Sequence, residues 1–347
     1  MTTSISSRLS TDEGVQIFER ASLPELGEMA MDRRRELHPD NVVTYVIDRN
    51  INYTNVCVTG CTFCAFFRYP GDAGGYVLPE SVIHQKILET ARIGGTGILI
   101  QGGLNPRLGL TYYVDLFSGI REKFPDIHIH GLSAEEIFFI ARISKKSFGD
   151  VLRELQTAGL KTLPGGGAEI LTEAQRTKVN RSQCTIDAWF EIHRIAHGLG
   201  IRSSCTQVIG FDESVEDRLT HLARIRDLQD ETGGFTAFIT WTYQQTGTRI
   251  DGASVGPNTY LKHLALCRIF LDNVPNMQSS WPTQGEKIGQ LALFFGANDM
   301  GSVMIEENVV AAAGTVHTTT EKRLRELISD AGFIPKKRSH LYERFQS

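Results

Sequence analysis

Short β-rich runs alternate with amphipathic helical stretches along nearly the whole chain of 347 residues. This alternation predicts repeated βα units on a parallel sheet. The number of runs indicates a (β/α)8 barrel of the TIM type, because such barrels commonly run to about 250 residues as one unit. The predicted strands are Val42–Ile47, Gly97–Ile100, Ile127–His130, Ser203–Ile209, Phe235–Trp241 and Met277–Trp281, with two weaker candidates at Lys161–Leu163 and Ser302–Ile305.

The stretch after residue 214 shows how clearly the helices are marked. Ser214 is a good N-cap residue, and Asp217 stands three residues further on, as in a capping box. Apolar residues recur behind it at helical spacing, and Gly233 and Gly234 end the segment. A second helix with the same pattern is predicted over Pro79–Ile93.

The predicted organisation is one barrel with an extension at each end. Residues 1–40 are expected to form an N-terminal helical extension, residues 41–305 the barrel, and residues 306–347 a C-terminal extension packed on the barrel. The C-terminal extension includes a predicted helix at Thr320–Asp330.

Composition and charge narrow the class of protein. With 41% hydrophobic residues, the chain can bury a large core. Its formal net charge of -4 shows no excess of basic residues that would bind nucleic acid. It has no apolar run long enough to cross a bilayer, and its first residues lack the apolar core of a signal peptide. We therefore expect a cytoplasmic protein with neither nucleic-acid binding nor membrane insertion.

Three of the six cysteines are crowded into one short run after the first predicted strand. Cys57, Cys61 and Cys64 have the spacing C-x3-C-x2-C. Three thiolates can hold three irons of a [4Fe-4S] cluster and leave the fourth open, whereas a cluster that only relays electrons normally has four protein ligands. An open iron suits S-adenosyl-L-methionine (SAM), which can chelate it while the cluster cleaves the sulfonium. The carbon radical so formed would carry the difficult chemistry, and the protein would supply orientation.

A zinc site is the alternative interpretation of the same cysteines. Structural zinc takes four ligands, usually in two C-x2-4-C pairs, and the chain has no second pair. A zinc site would therefore need a histidine such as His84 beside the three cysteines. The other cysteines, at positions 184, 205 and 267, are isolated and are interpreted as core residues.

Several segments beyond the cysteines resemble elements of the radical-SAM superfamily. An aromatic residue precedes the third cysteine, a glycine pair follows the second strand, and residues 206–213 resemble the adenine element G-x-I-x-G-x-x-E without its first glycine. A glutamate also follows the glycine run after the fourth strand. The resemblance implies that the following residues bind the cofactor: Phe63, Gly102, Gly103, Glu169, Val208 and Glu213.

The implied roles differ, and each has a plainer alternative. Phe63 would pack near the adenine, the glycine backbone would meet the methionine part, and Glu169 would bind the ribose hydroxyls. The backbone near Val208 would contact adenine, while Glu213 would hold the start of the following helix. The alternatives are an ordinary strand-to-helix turn for the glycines, a solvated loop residue for Glu169 and a first-turn acid favoured by the helix dipole for Glu213.

A narrower resemblance rests on longer segments. Residues 50–68 resemble the cluster segment of the cyclic dehypoxanthinyl futalosine synthase family, radical-SAM enzymes of the futalosine route to menaquinone. Related families, such as aminofutalosine synthase, usually begin this loop with Asn-Pro-Thr-Asn. This chain has Asn52-Tyr-Thr-Asn55 instead, which favours the cyclase. Further similar blocks lie at residues 101–105, 164–171, 228–235, 296–302 and 304–310, so the similarity spans essentially the whole chain.

The resemblance implies a radical cyclisation. A deoxyadenosyl radical would abstract the C4′ hydrogen of the ribose in dehypoxanthinyl futalosine, and the substrate radical would add to the attached benzoate ring to give a spirocycle. Loss of a proton and an electron would then restore aromaticity. An electron donor such as flavodoxin or ferredoxin is implied, and the base that accepts the proton is not identified by the sequence.

Substrate contacts are expected from residues near the ends of the strands. A guanidinium should meet the substrate carboxylate, and Arg68 and Arg181 are the candidates. The residues predicted to contact substrate are Arg68, Tyr243, Gln244, Asn298, Glu306 and Asn308, although Glu306 is also explained as a charge at a helix start.

Two departures from the family pattern bear on the substrate. Many relatives have Gly-His where this chain has Gly210-Phe211, and a typical Pro-Trp-Pro-Phe-Gln-Pro is replaced by residues 240–245, Thr-Trp-Thr-Tyr-Gln-Gln. The alternative function is a related carbon–carbon bond-forming enzyme such as aminofutalosine synthase. A non-catalytic iron–sulfur or zinc protein is the alternative from another class.

Overall fold

The computed structural model describes residues 8–250, 255–314 and 317–345. Its strands are β1 (Val42–Val46), β2 (Asp48–Asn52), β3 (Gly97–Gln101), β4 (His128–Gly131), β5 (Leu160–Leu163), β6 (Arg202–Ile209), β7 (Phe235–Thr242), β8 (Asn276–Gln278), β9 (Asp299–Ser302) and β10 (Ile334–Lys337). Its helices are α1 (Thr11–Arg20), α2 (Leu23–Leu37), α3 (Glu80–Arg92), α4 (Leu110–Lys123), α5 (Ala134–Ser144), α6 (Phe148–Ala158), α7 (Glu173–Val179), α8 (Ile186–Gly198), α9 (Val215–Thr232), α10 (Pro257–Phe270), α11 (Trp281–Gln284), α12 (Glu286–Leu291), α13 (Asn308–Ala312) and α14 (Glu321–Asp330).

The strands form one parallel sheet that closes on its first strand. Their order in the sheet is β10-β1-β9-β8-β7-β6-β5-β4-β3-β2. Only Ile47 separates β1 from β2, and β1 pairs with β9 while β2 pairs with β3. β1 and β2 are therefore two segments of one interrupted strand, and the barrel closes there between β9 and β3. This arrangement confirms the predicted barrel of the TIM type, with β10 added beside β1.

The helices follow the sequence pattern closely. Ser214 and Asp217 form the capping box of α9, and Gly233 ends that helix in the left-handed conformation. The helices predicted over 79–93 and 320–330 are present as α3 and α14, and α1 and α2 precede the barrel. Within the described residues, no helix is both long and apolar enough to span a membrane.

Four strands differ from the prediction, for identifiable physical reasons. β2 was not predicted, because its sequence Asp-Arg-Asn-Ile-Asn is mostly polar and charged. The strand predicted over Met277–Trp281 ends at Gln278, because Trp281 starts the short helix α11, which has a proline in its first turn. The strand predicted over Ser302–Ile305 lies earlier, at β9, because the polar residues of Asp299–Ser302 are more typical of a loop. β10 was not predicted, since its Ile-Pro-Lys-Lys sequence is untypical of a strand.

Residues 338–342, which we call the C-terminal tail, continue β10 into the interior of the barrel. Arg338 binds Asp299 of β9 through two hydrogen bonds, of 2.5 and 2.8 Å. Two residues on, the imidazole of His340 is 3.0 Å from the carboxylate of Asp48 in β2. The tail thus connects β9 with β2, and its side chains line the interior of the barrel. The predicted boundaries at residues 40 and 305 stay predictions.

Replacing Arg338 with methionine is expected to destabilise the protein by about 3–5 kcal/mol, because Asp299 would stay buried without its partner. The exposed pair between Arg344 and Asp40 is the matched control in the same part of the chain. Arg344→Met should cost less than about 1 kcal/mol. Urea denaturation of both variants measures the difference, and equal losses would contradict a special role for the buried pair.

Candidate functional site

Two adjoining cavities lie within the barrel and at the carboxyl ends of its strands. The first, the upper cavity, has a volume of about 230 Å³ and is lined by all three clustered cysteines. The second, the inner cavity, has a volume of about 300 Å³ and reaches down to the C-terminal tail. Both cavities share the wall formed by Gln101, Gly166, Gly167, Glu169 and Val309, so they adjoin, and together we call them the cleft.

The cysteine loop follows β2 and is held at its base by backbone hydrogen bonds. Cys57 N donates to Arg68 O at 2.8 Å, and Arg68 N donates back to Asn55 O at 2.8 Å. Near the middle of the loop, Thr62 N donates to Val179 O at 3.1 Å. These bonds fix the loop so that the three thiols face a common space.

The donor set fits an iron–sulfur cluster better than a single metal ion. Among the described residues, no three His, Cys, Asp or Glu side chains converge on a point where one ion could bind. His84, the proposed fourth zinc ligand, lies on α3 beside Glu80 and Lys123 and does not line the upper cavity. Burial raises the pKa of the Cys61 thiol to about 12, with a further contribution from Glu169, and a bound metal ion would lower it.

The glycine pair after β3 packs directly on the cysteine loop. A Cβ atom at Gly103 would lie 2.4 Å from the carbonyl oxygen of Val56, and one at Gly102 would lie 2.7 Å from the ring of Tyr53. Gly102 N donates to Glu136 Oε1 at 2.9 Å, and Tyr53 OH donates to the same oxygen at 2.8 Å. Glycine is therefore required by the approach of the protein's own backbone, in a turn that also lines the upper cavity.

Glu169 belongs to a buried polar network beside the cysteines. Asn180 Nδ2 donates to Glu135 at 2.8 Å and to Glu169 at 3.0 Å, while its Oδ1 accepts from the Cys61 thiol at 3.3 Å. Arg176 donates to Glu135 at 2.6 Å and lies 3.6 Å from Glu169. Burial raises the pKa of Glu169 to about 7 against the opposing effect of Arg176. Glu169 thus lines both cavities as a poorly solvated carboxyl group.

The segment after β6 holds its own turn together. Glu213 accepts from the backbone N–H groups of Gly210 and Phe211 at 3.0 and 2.6 Å, and it pairs with Arg218 of α9 at 2.7 Å. The ring of Phe63 lies 5.9 Å from that of Phe211, and Val208 packs against the same apolar cluster. Phe63 lines the upper cavity and Val208 the inner cavity, whereas Glu213 supports the turn from behind.

Tyr243, Gln244 and Arg68 lie beside the cavities, and none of them forms their walls. Tyr243 is buried, and its hydroxyl donates to Ile250 O at 3.1 Å. Gln244 turns back to Thr242, whose carbonyl oxygen accepts at 2.9 Å. Arg68 is exposed and donates to the carbonyl oxygen of Phe67 at 2.8 Å. As substrate contacts, these three residues stay predictions.

The other predicted substrate residues interact mainly with protein partners. Asn298 is buried and accepts from Arg268 at 2.7 Å. Glu306 accepts from both Arg49 and Lys86 at 2.6 Å. Asn308 donates to Asn52 at 3.1 Å, at the end of β2. None of the three lines either cavity.

Several polar residues of the inner cavity were missed by the sequence reasoning. They come from β2, from β4 and from the C-terminal tail. In β2 and β4 the polar residues recur at every second position, and this alternation would have indicated that they face the interior. The oxygen Oδ1 of Asn50 is buried without a hydrogen-bond partner among the described residues. The missed residues are Asp48, Asn50, His130, Arg338, His340 and Tyr342.

Comparison with known proteins gives two family matches. Residues 51–225 match the family described as the radical SAM superfamily, and residues 232–347 match the CofH/MqnC C-terminal region. The chain is 48% identical to a cyclic dehypoxanthine futalosine synthase of Halalkalibacterium halodurans, over 97% of this chain and 91% of that protein. It is 35% identical to an aminodeoxyfutalosine synthase of Thermus thermophilus, over 96% and 92% of the two chains. Among solved structures, methylornithine synthase shares the fold, with a TM-score of 0.71, 17% identity and 95% of each chain covered.

Single replacement of Cys57, Cys61 or Cys64 by alanine is expected to abolish bound iron, because two thiolates hold a cluster poorly. Cys184, Cys205 and Cys267 are buried away from both cavities, so alanine there should leave iron content largely intact. Iron and sulfide assays after anaerobic reconstitution compare the two groups. Parental iron content in the variant that lacks Cys61 would contradict the assignment.

Proposed function

Because the chain belongs to the radical SAM superfamily, in its family of cyclic dehypoxanthine futalosine synthases, we propose that it cyclises dehypoxanthinyl futalosine in menaquinone biosynthesis. The observation that carries the proposal is one cleft whose upper part is lined by three cysteines and whose inner part is closed by the C-terminal tail. Identity of 48% to a cyclase, against 35% to an aminodeoxyfutalosine synthase, favours the cyclase. A barrel with an enclosed inner cavity also favours an enzyme over a non-catalytic metal protein.

The upper cavity would hold the cofactors. Cys57, Cys61 and Cys64 would bind a [4Fe-4S] cluster, which with SAM supplies a radical able to abstract the C4′ hydrogen of the ribose. The N–H groups of Gly102 and Gly103 are already bonded to Glu136 and Thr54, so the carbonyl oxygens of this turn would meet the methionine amino group. The network around Glu169 offers a carboxyl group for ribose hydroxyls. Phe63 would cover the adenine from the side of Phe211.

The inner cavity would hold the substrate with its sugar carbon against its aromatic ring. Leu99 of β3 and the pair Ile239 and Trp241 of β7 line the inner cavity from two sides with apolar surface suited to the benzoate ring. Asn50 Oδ1, which lacks a partner among the described residues, would accept a hydrogen bond from a sugar hydroxyl. Because a misplacement of about 1 Å can cost on the order of a hundredfold in rate, holding the sugar carbon against the ring is the main task of this cavity.

An electron donor such as flavodoxin or ferredoxin would reduce the cluster. We place the enzyme in the cytoplasm, since all six cysteines are free thiols and an oxygen-sensitive cluster needs a reducing compartment.

Incubation with dehypoxanthinyl futalosine, SAM and dithionite is expected to give the spirocyclic product and 5′-deoxyadenosine in about equal amounts. Deuterium placed at ribose C4′ should appear in 5′-deoxyadenosine, because the cyclisation ends by losing a proton and gives no reason to return the label. Mass spectrometry measures both compounds. Label retained wholly in the product would exclude abstraction at C4′.

Truncation of Trp241 to alanine should uncouple the reaction, because the substrate would gain freedom to shift within the inner cavity. A displacement of about 1 Å can cost on the order of a hundredfold in rate. The ratio of 5′-deoxyadenosine to cyclised product should therefore rise, while iron content stays parental. Phe294→Ala, at an exposed site, is the control and should leave the ratio unchanged. An unchanged ratio for Trp241→Ala would remove this residue from the substrate site.

A further inference from the structure

Two histidines of β4 share one hydroxyl group inside the barrel. His128 and His130 are two residues apart and project from the same face of the strand. Thr162 of β5 is the register partner of His130. Its Oγ1 lies 2.7 Å from His128 Nε2 and 2.7 Å from His130 Nδ1.

The shared hydroxyl restricts the tautomers of both rings. A threonine hydroxyl has a single proton, so it donates to one histidine and accepts from the other. Of the two arrangements that result, one has Nδ1 of His130 donating to Thr162 and the hydroxyl donating to Nε2 of His128. In that arrangement Nε2 of His130 carries a lone pair. The 2.7 Å contact with Thr162 uses Nδ1, and the ring of His130 lines the inner cavity.

The C-terminal tail fixes this pair of rings from below. His340 stacks on His128 with ring centroids 4.9 Å apart and the planes 6° from parallel, and it lies 5.4 Å from His130. It is held by Asp48, 3.0 Å away, and it occupies space that a side chain at position 97 would need. A Cβ atom at Gly97 would lie 2.4 Å from His340 Cε1.

The surroundings keep both histidines of β4 uncharged near neutral pH. Burial, followed by the neighbouring His340, lowers the pKa of His128 to about 3. Burial also lowers the pKa of His130 well below its ordinary value, and His340, His128 and Arg338 act in the same direction. An uncharged imidazole with a free lone pair is a proton acceptor.

We propose that His130 is the catalytic base that takes the proton from the aromatic ring, and that Thr162 and His128 are positioning residues that hold its tautomer. This assignment rests on the proposed function. In the cyclised radical, the C–H bond at the attacked ring carbon breaks and its proton goes to Nε2 of His130. The bonding pair restores the aromatic ring, and the cluster that Cys57, Cys61 and Cys64 would hold would take up the one remaining electron. Because the ring carbon becomes strongly acidic as the electron leaves, a weakly basic imidazole suffices.

The test follows C4′-deuterated dehypoxanthinyl futalosine with the reconstituted His130→Gln enzyme. Deuterated 5′-deoxyadenosine should still form, because this residue acts after hydrogen abstraction. The aromatic cyclised product should fall by about a hundredfold or more relative to 5′-deoxyadenosine. Freeze-quench electron paramagnetic resonance should show an organic radical that the parental enzyme does not accumulate. A parental product ratio in His130→Gln would overturn the assignment.

Variants of Thr162 separate positioning from packing. Thr162→Val removes the hydroxyl at similar volume and should lower the same product ratio, whereas Thr162→Ser keeps the hydroxyl and should restore it. Ser203→Ala is the matched control, because its hydroxyl is likewise shared by two histidines, His193 at 3.0 Å and His197 at 2.8 Å, outside both cavities. Its ratio should be parental.

Two further outcomes would count against these assignments. Equal ratios in Thr162→Val and Thr162→Ser would overturn the positioning role of Thr162. A parental enzyme that neither cyclises the substrate nor transfers deuterium would overturn the proposed function itself, and the base assignment with it.

Discussion

The buried pair between Arg338 and Asp299 is the contact on which the shape of the inner cavity depends. It ties the C-terminal tail to β9, and the same aspartate accepts from Thr44 of β1 at 2.5 Å. Three separate parts of the chain therefore meet at one carboxylate. A buried carboxylate is tolerable only when its oxygens are satisfied, and here hydrogen bonds from Arg338 and Thr44 satisfy them. The same segment places His340 and Tyr342 in the lining of the inner cavity.

At the opposite end of the cleft, support for the cysteines also comes from side chains remote in sequence. Glu136 caps α5 together with Ser133 and at the same time accepts from Gly102 N. Asn180 connects the Cys61 thiol to two carboxylates on separate segments. The cysteine loop has little regular structure of its own, so its geometry is set by these neighbours. A cofactor bound there would be held by a scaffold that is already in place.

Local patterns in the sequence predict the barrel and the cysteine site, but they fail where a role depends on distant residues. The capping box at Ser214, the C-x3-C-x2-C spacing and the predicted strand at 203–209 are all short-range signals, and the structure contains the corresponding elements. The last barrel strand was predicted too late in the sequence, because an aspartate at position 299 is typical of a loop. Its pairing with Arg338, which makes it acceptable in a buried strand, cannot be seen in the local sequence. His128 and His130 look like ordinary strand residues, and only the fold brings Thr162 and His340 to them. Tyr243 was chosen for its place after a strand, and in the structure its ring packs on Phe211 without lining either cavity.

The order in which the barrel can be completed follows from the position of the tail in the chain. During synthesis, β1 to β9 leave the ribosome before residues 338–342 do. Without the tail, Asp48 would lose His340 and Asp299 would lose Arg338, and the inner cavity would lack the wall that these side chains and Tyr342 supply. The enclosure of this cavity therefore depends on the segment that is synthesised after all the strands.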